Sequence, residues 1–507
     1  MPHDIDGLAH IRVVLFSGGR GSGALTTTLV RTPGVQLTVA INGYDDGAST
    51  GEVRRFLGDA LGPSDFRKNA SRLATELATC PPSLVALLDH RLPDDASATT
   101  VQALIADLTL AAPGDPALRE MPGDRRQAVA ARLYRFSEDL DSGRPFSFRD
   151  CSVGNLVFAG AYLLQGRRFN DAVDDYAVLV GLPVGLIENV TNGLNAHLVA
   201  LDLDGHVLGR EADIVDANRQ NRIRDIFLRT SPLDADICRD LAALGPERAA
   251  ASLEAGSVHP PLNPRLERKI AEADLIVYAP GTQHSSLFPS YLTHGLSTAL
   301  AANARAIKLL ITNIQSDAEI AGSSAVDIIE RAVFYLKEKG RLATPTPALV
   351  THYLVNDPVP RQARDAPSPS RSAPSEERET YVPLGRLDAL QDPRLVRVGD
   401  YEHGGSGRHD ALDDEAVWRL DEEDLAHPAL VDEGPDRAED LLEVLARTSL
   451  IDAHRASLCP RDGRRVRRVA RRRSGAGGLV EEPAILRASV ARPEHGHCRE
   501  CSHRPRC

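Results

Sequence analysis

The first apolar run of the chain, Ile11–Phe16, is interrupted only by Arg12 and ends in Ser17-Gly18-Gly19, a pattern that predicts a buried parallel strand turning into a helix. Ala24–Arg31 reads as that helix and Val35–Ile41 as a second strand, so residues 11–46 predict one βαβ unit. From Glu52 to about Asp139 the apolar positions change to helical spacing, as in Leu73, Leu77, Leu84, Leu87 and Leu88, with proline breaks between runs. This predicts a mostly helical insertion over about 53–150. A further helix follows Gly154. Val184–Ile187 and Ala196–Leu203 predict strands, and Asp204-Gly205 before His206–Leu208 is a hairpin signal. Leu275–Tyr278, followed by Ala279-Pro280-Gly281-Thr282, repeats the strand-then-turn order, with a helix through about Ala304 and a strand at Ile307–Ile314 after it. The predicted fold class is α/β: a Rossmann-like, doubly wound, mostly parallel sheet with a helical insertion and an antiparallel excursion.

The patterning changes near residue 357. Residues 1–357 read as one α/β domain, and 358–380, rich in Pro, Ser, Arg and Glu, as a solvated linker. Residues 381–450 read as an acidic strand-and-helix return segment, with Leu395–Val398 as its strand candidate and fourteen carboxylates between Asp410 and Glu443. Residues 451–507 carry eight arginines between Arg461 and Arg473 and lose hydrophobic periodicity, so a disordered tail is expected.

Composition narrows the class. The 507 residues are 42% hydrophobic and 26% charged, ordinary for a soluble globular chain, and no run of about 18 apolar residues is present to span a bilayer. Met1–His10 has no apolar core of a secretory signal, which makes the cytoplasm the expected location. Seven cysteines, three of them in the last ten residues, do not form a disulfide framework. The net charge of −12 argues against a general nucleic-acid binder, and no membrane partner is expected. His495, His497, Cys498, Cys501, His503 and Cys507 include zinc-ligand types, but a single Cys-x-x-Cys beside aperiodic, arginine-rich sequence is weak support for a zinc site.

Three short stretches carry the candidate chemistry. Gly18, Gly19, Gly21 and Gly23 sit between a predicted strand and helix, where backbone N–H groups and the helix N-terminus can receive a phosphate. The same glycines can also form a turn that binds nothing; the Lys-Ser/Thr of a Walker loop is missing, and the spacing is not the dinucleotide fingerprint. After the next strand, Asp45 and Asp46 in the glycine-bounded loop Asn42–Gly51 suit Mg²⁺ coordination or proton abstraction from an attacking hydroxyl. In Gly62–Asn69, Asp65 precedes Arg67 and Lys68, which can neutralise phosphate, while Ser64 and Asp65 equally suit a helix N-terminus.

Together with Cys151–Leu156 and Ala279–Thr282, these stretches resemble, in order and spacing across roughly 11–335, the 2-phospho-L-lactate transferase family and its sister group of nucleotide-sugar-binding morphogenesis and gluconeogenesis factors. The resemblance implies Mg²⁺-dependent transfer of a phospholactyl-type group from a guanosine diphosphate-linked donor to a deazaflavin hydroxyl. It implies Asp45, Asp46 and Asp65 as catalytic residues, with Asp45 and Asp46 on Mg²⁺. It further implies nucleotide or phosphate contacts from Ser49, Gly51, Arg67, Asn69, Ser152, Gly154, Asn155, Pro280, Gly281, Thr282 and Ser285. The chain departs from the family's pattern where Arg20 replaces Thr, Ala48 and Thr50 replace Gly and Ser, Lys68 is inserted before Asn69, Cys151 replaces His, and Gln283 and His284 enter the late loop. The final family segment is matched loosely by Asn313–Gly322, with Glu319 retained.

Three readings follow: a transferase using a GDP- or UDP-type, nucleotide-diphosphate-linked partner; a non-catalytic nucleotide-sugar-binding regulator of the same fold; and an NAD site with Asp45 on a ribose, for which the glycine spacing is wrong. Self-association into a homo-oligomer is compatible with all three.

Overall fold

Strand β1 (Ile11–Phe16) lies at the centre of the main sheet, between β2 (Val35–Ile41) and a later strand Leu275–Tyr278, both parallel to it. A strand paired on both sides inside a parallel sheet has both faces covered by helices, and this is why its residues are nearly all apolar. Arg12 lies at its outer end, where Asp274 receives the guanidinium at 3.1 Å. At the other end Phe16 is buried and stacks on Tyr278 at 5.5 Å. Such a pair adds about 0.5–1.5 kcal/mol beyond its area burial. The Phe16 end of β1 is therefore rigid where the glycine loop begins.

The structure, a computed structural model, describes residues 11–357 apart from Arg20, Asp141 and 217–220, together with Val382, Pro383 and four later strands; for Asn356, Asp357 and those four strands it describes the backbone alone. The remaining strands are β3 (Ile187–Asn189), β4 (His197–Asp202), β5 (Val207–Leu208), β6 (Ile223–Arg229), β7 (Leu275–Tyr278), β8 (Ile307–Ile311), β9 (His352–Asp357) and β10 (Leu395–Gly399). The main sheet runs β10-β9-β8-β7-β1-β2-β3, all parallel, and β5-β4-β6 form a separate antiparallel sheet. The chain builds outward from β1 through β2 to β3, then returns to β1's other side at β7. The order thus reverses between β1 and β7, the place where open α/β sheets bind ligands at the carboxyl ends of their strands.

Helix α1 (Gly23–Arg31) joins β1 to β2. Between β2 and β3 come α2 (Ala48–Leu57), α3 (Ser64–Glu76), α4 (Pro82–Asp89), α5 (Ala98–Thr109), α6 (Pro116–Glu120), α7 (Gly123–Leu140), α8 (Val153–Leu164) and α9 (Phe169–Leu179). Helix α8 is buried along almost its whole length, as its Val, Leu, Phe and Ala content requires. It forms the floor on which α2 and α3 are held.

Three local departures from the sequence pattern have local causes. Strand β3 begins later than Val184 because Pro183–Leu186 form a turn, with Leu186 N–H on the Pro183 carbonyl at 3.3 Å and Gly185 at φ +87°. The helix expected through Ala304 is broken into Gln283–Leu287, Phe288–Tyr291 and Leu296–Ala302; Pro289 and Gly295, the latter at φ +87°, stand at the breaks. Strands β6, broken by the adjacent Arg224 and Asp225, and β9, with only Tyr353–Val355 apolar between polar ends, lack the continuous apolar run of β1 and were not readable from pattern.

Val466–Arg467 and Ala484–Val490 pair as short antiparallel strands, as Ala416–Leu420 does with the latter. The linker 358–380, nearly all of the acidic stretch, the rest of the Arg461–Arg473 run and the His495–Cys507 cluster lie outside the described residues. No helix among the described residues is long and apolar enough to cross a membrane.

Candidate active site

The loops after β1 and β7 touch. A Cβ on Gly21 would stand 2.6 Å from Gly281 Cα, and one on Gly18 would stand 2.5 Å from Ser286 Cβ. These two glycines are needed for close approach, since any side chain would push apart the two strand ends that flank the switch point. Ser17 and Ser22 close the first loop with an Oγ···Oγ contact of 2.5 Å, and Asn69 Nδ2 donates to the Gly18 carbonyl at 3.1 Å. Gly19 and Gly23 rest against Asp65 and Arg72 of α3. The predicted loop residues therefore converge on one place; Arg20 lies outside the described residues.

The acidic loop after β2 is anchored from beneath. Arg54 of α2 is 3% exposed and donates to the carbonyls of Tyr44 at 2.9 Å, Asp45 at 3.2 Å and Ala196 at 2.6 Å, and to Asn195 Oδ1 at 3.0 Å. Asp45 Oδ1 accepts the Gly47 N–H at 2.9 Å, and Asp46 Oδ1 accepts the Glu211 N–H at 2.9 Å. Glu211 opens the short helix Glu211–Ile214 of the antiparallel excursion, which thus reaches back over the site. Ala48, where the resemblance expects glycine, sits at φ +40°, a left-handed conformation that costs an L-residue about 1–2 kcal/mol.

Four carboxylates then share this mouth. Burial, followed by the charge of Asp45, pushes Asp65 up to about 6, and the same two causes push Glu211 up to about 9. Burial also raises Asp46, against the pull of Arg54. Among the described residues no three His, Cys, Asp or Glu side chains form a ready-made metal cage. Mg²⁺, however, typically takes one or two carboxylates and completes its shell with water and substrate phosphate. A carboxylate group crowded enough to retain protons fits such an ion.

Other predicted residues are turned to joining elements. Arg67 is 4% exposed, with Nε on Asn155 Oδ1 at 3.0 Å and Nη1 on Asp89 at 2.5 Å, so its guanidinium is engaged inside the fold. Asn155 Nδ2 donates to Ser49 Oγ at 3.2 Å, Ser152 caps α8 by accepting the Asn155 N–H, and Gly154 packs on the Arg67 stem. Gly51 sits in the first turn of α2 against the Asp46 carbonyl. Cys151 is fully buried and its thiol is pushed up to about 12 by burial, so it cannot relay protons in place of histidine.

In the third loop, Gly281 is held by Asn313, whose Nδ2 donates to the Gly281 carbonyl at 2.9 Å, and the Pro280 carbonyl faces Gly21. Thr282 is exposed and donates to Ser286 Oγ at 2.8 Å. Ser285 Oγ donates to Glu319 Oε1 at 2.5 Å, while Glu319 Oε2 accepts the N–H groups of His284 at 2.7 Å and Ser285 at 3.0 Å. Arg54, Glu211 and this role of Glu319 had no signal in the sequence beyond a retained glutamate.

Burial holds Glu319 up at about 7, against an ordinary value of 4.5. Between those values the folded chain keeps a proton that the unfolded chain has lost, so stability falls as pH rises from about 4.5 to 7, by roughly 3 kcal/mol for this group. Urea unfolding across this range should therefore show a steeper decline for the wild-type chain than for Glu319→Gln. Parallel pH profiles would remove Glu319 from that role.

These features define a doubly wound α/β protein with a candidate site at its topological switch point, built from two abutting glycine loops and a carboxylate-rich third. The chain belongs to the 2-phospho-L-lactate transferase CofD family, whose model matches residues 13–377. It is 22% identical over 381 residues to an uncharacterized protein of Saccharomyces cerevisiae, covering 64% of this chain and 82% of that one. It is also 22% identical over 329 residues to a Thermotoga maritima protein whose name proposes it as a gluconeogenesis factor, covering 65% and 76%. A crystal structure of a UPF0052 family member from Bacillus halodurans aligns with a TM-score of 0.49 at 20% identity, over 78% of this chain and 94% of that one.

Proposed function

We propose that the protein is a transferase that moves a phospho-ester group from a nucleotide-diphosphate-linked donor to an acceptor hydroxyl with Mg²⁺. The observation that carries this reading is the abutment of Gly18 on Ser286 and of Gly21 on Gly281 beside Asp45, Asp46, Asp65 and Glu211. The backbone N–H groups at the start of α1 receive the diphosphate, and Asp45 and Asp46 would hold Mg²⁺. When bound, Mg²⁺ supplies neutralisation of phosphate charge. The acceptor oxygen forms a bond to the phosphorus distal to the nucleoside. The bridging P–O bond breaks, nucleoside monophosphate leaves with the bridging oxygen, and Asp65, held near 6, takes the hydroxyl proton. Positioning and charge account for most of such catalysis, so no protein nucleophile is required. The cytoplasm is the proposed setting, and the three described cysteines, Cys80, Cys151 and Cys238, are free thiols.

The full-length protein incubated with Mg²⁺, GDP- and UDP-linked phospho-ester donors and a deazaflavin acceptor should release nucleoside monophosphate, with Asp65→Asn slower by about 10²–10⁴-fold. No release from any donor would sink the transferase reading. The buried Cys151 in place of histidine favours a second reading, a non-catalytic nucleotide-sugar-binding regulator. It calls for tight binding without turnover in calorimetry, and for Asp45→Asn to leave that binding largely intact.

A further inference from the structure

Asp65, Asn69 and Arg72 follow one another at helical spacing along α3, so they share one face of that helix. The face lies against the glycine loop after β1. A Cβ on Gly19 would stand 2.8 Å from Asp65 Oδ1, Asn69 Nδ2 holds the Gly18 carbonyl at 3.1 Å, and a Cβ on Gly23 would stand 2.8 Å from Arg72 Nη1. Arg72 therefore stands at the first turn of α1, beside the positive end of that helix.

The guanidinium is only partly satisfied there. Nη2 donates to Asn69 Oδ1, which fixes the head group against the loop. Nη1 reaches the Gly19 carbonyl at 3.5 Å, longer than the roughly 2.7–3.2 Å of a well-made bond, and Nε is buried without a partner among the described residues. The nearby acids are engaged elsewhere: Glu76 pairs with Arg31, and Asp65 with Lys68 at 3.4 Å. No ion pair to Arg72 forms among the described residues. Burial lowers the Arg72 guanidinium, and the charges of Glu76 and Asp65 oppose this only in part. A half-buried cation beside a positive helix end, with donors unmet, is unfavourable until an anion reaches it.

Arg67, the cation expected on phosphate from its place in the chain, is spent on Asn155 and Asp89. We propose that Arg72 is the cation of the phosphate loop and donates to the diphosphate of the donor from the α3 side, while the backbone N–H groups of α1 donate from the other. This rests on the nucleotide-linked reading above. A guanidinium fork matches two phosphate oxygens at once, and Asn69 holds the fork in place for them.

Titration calorimetry on the full-length chain with Mg²⁺ tests the assignment with inorganic pyrophosphate, GDP and UDP, repeated at rising NaCl. Arg72→Gln and Arg72→Ala both remove the charge, and either serves if the other does not fold; Arg72→Lys keeps the charge without the fork. The expected result is at least about a tenfold loss of pyrophosphate and nucleotide affinity in the neutral variants, with Arg72→Lys in between. Their affinity should also fall less steeply with salt than that of the wild type, since one cation is missing. A neutral variant that is folded by urea unfolding and binds pyrophosphate as the wild type does would overturn the assignment. So would a loss of affinity with an unchanged salt dependence, which would place the effect in the packing of the loop. If the wild type binds pyrophosphate but neither nucleotide, the nucleotide-linked reading fails and the pyrophosphate affinities alone decide Arg72; if it binds none of the three, both fall.

Discussion

Arg54→Met is expected to cost about 3–5 kcal/mol of unfolding free energy, because it removes one partner from a buried charge group. Arg54 is the only described donor shared by the carbonyls of Tyr44, Asp45 and Ala196 and the Asn195 amide oxygen, which belong to two segments far apart in sequence. Methionine fills much of the volume but offers none of them a hydrogen, and buried acceptors left unmade cost about 1–3 kcal/mol each before relaxation. It also takes the cation away from Asp46, whose carboxyl burial already raises. The double variant Arg54→Met with Asp46→Asn should recover part of the loss, since the second change removes the uncompensated charge. Arg54→Lys should recover little, because one ammonium cannot span the fork of a guanidinium. Urea unfolding measures all three, and a loss under about 1 kcal/mol in Arg54→Met would show that the acidic loop is held by other contacts.

Arg54 also shows where reading the chain in one dimension stops. Strands β1, β2 and β7 were visible with their ends because each is a short apolar run closed by glycine or proline. The glycine and aspartate loops were visible because a polar, glycine-rich turn after a buried strand has few other uses. Arg54, by contrast, stands next to the exposed Arg55 on a helix, and nothing local distinguishes the buried guanidinium from the solvated one. Glu211 is 165 positions from Asp46, on an excursion whose only pattern was a hairpin signal. Arg67 carries the right charge for phosphate, yet Asn155 and Asp89 take its guanidinium, a pairing set by how α3 packs on α4 and α8. Residues that face a ligand leave a composition mark in the loop; residues that hold the loop from below are fixed by tertiary contact and leave none.

Gly21→Ala should reduce donor turnover by about a hundredfold while the fold survives, since an approximately 1 Å displacement of a positioning group carries a penalty of that size. The added Cβ would meet Gly281 Cα at 2.6 Å, the Pro280 carbonyl at 3.2 Å and the Gly281 nitrogen at 3.4 Å. All three are backbone atoms, so the loops themselves must separate, at an overpacking cost of about 1–3 kcal/mol. Gly18→Ala differs in kind, because its Cβ would meet the Cβ and Oγ of Ser286 at 2.5 and 3.1 Å. Adding Ser286→Gly to Gly18→Ala should therefore restore much of the turnover. No side-chain truncation can rescue Gly21→Ala, since its partner is already glycine. Gly114→Ala, whose nearest neighbour would be 3.9 Å away, is the control and should alter neither stability nor turnover. Nucleoside monophosphate release, with nucleotide affinity from calorimetry as a second readout, distinguishes the variants. If Gly21→Ala turns over donor at the wild-type rate, the contact between the two strand-end loops does not set the geometry of the site.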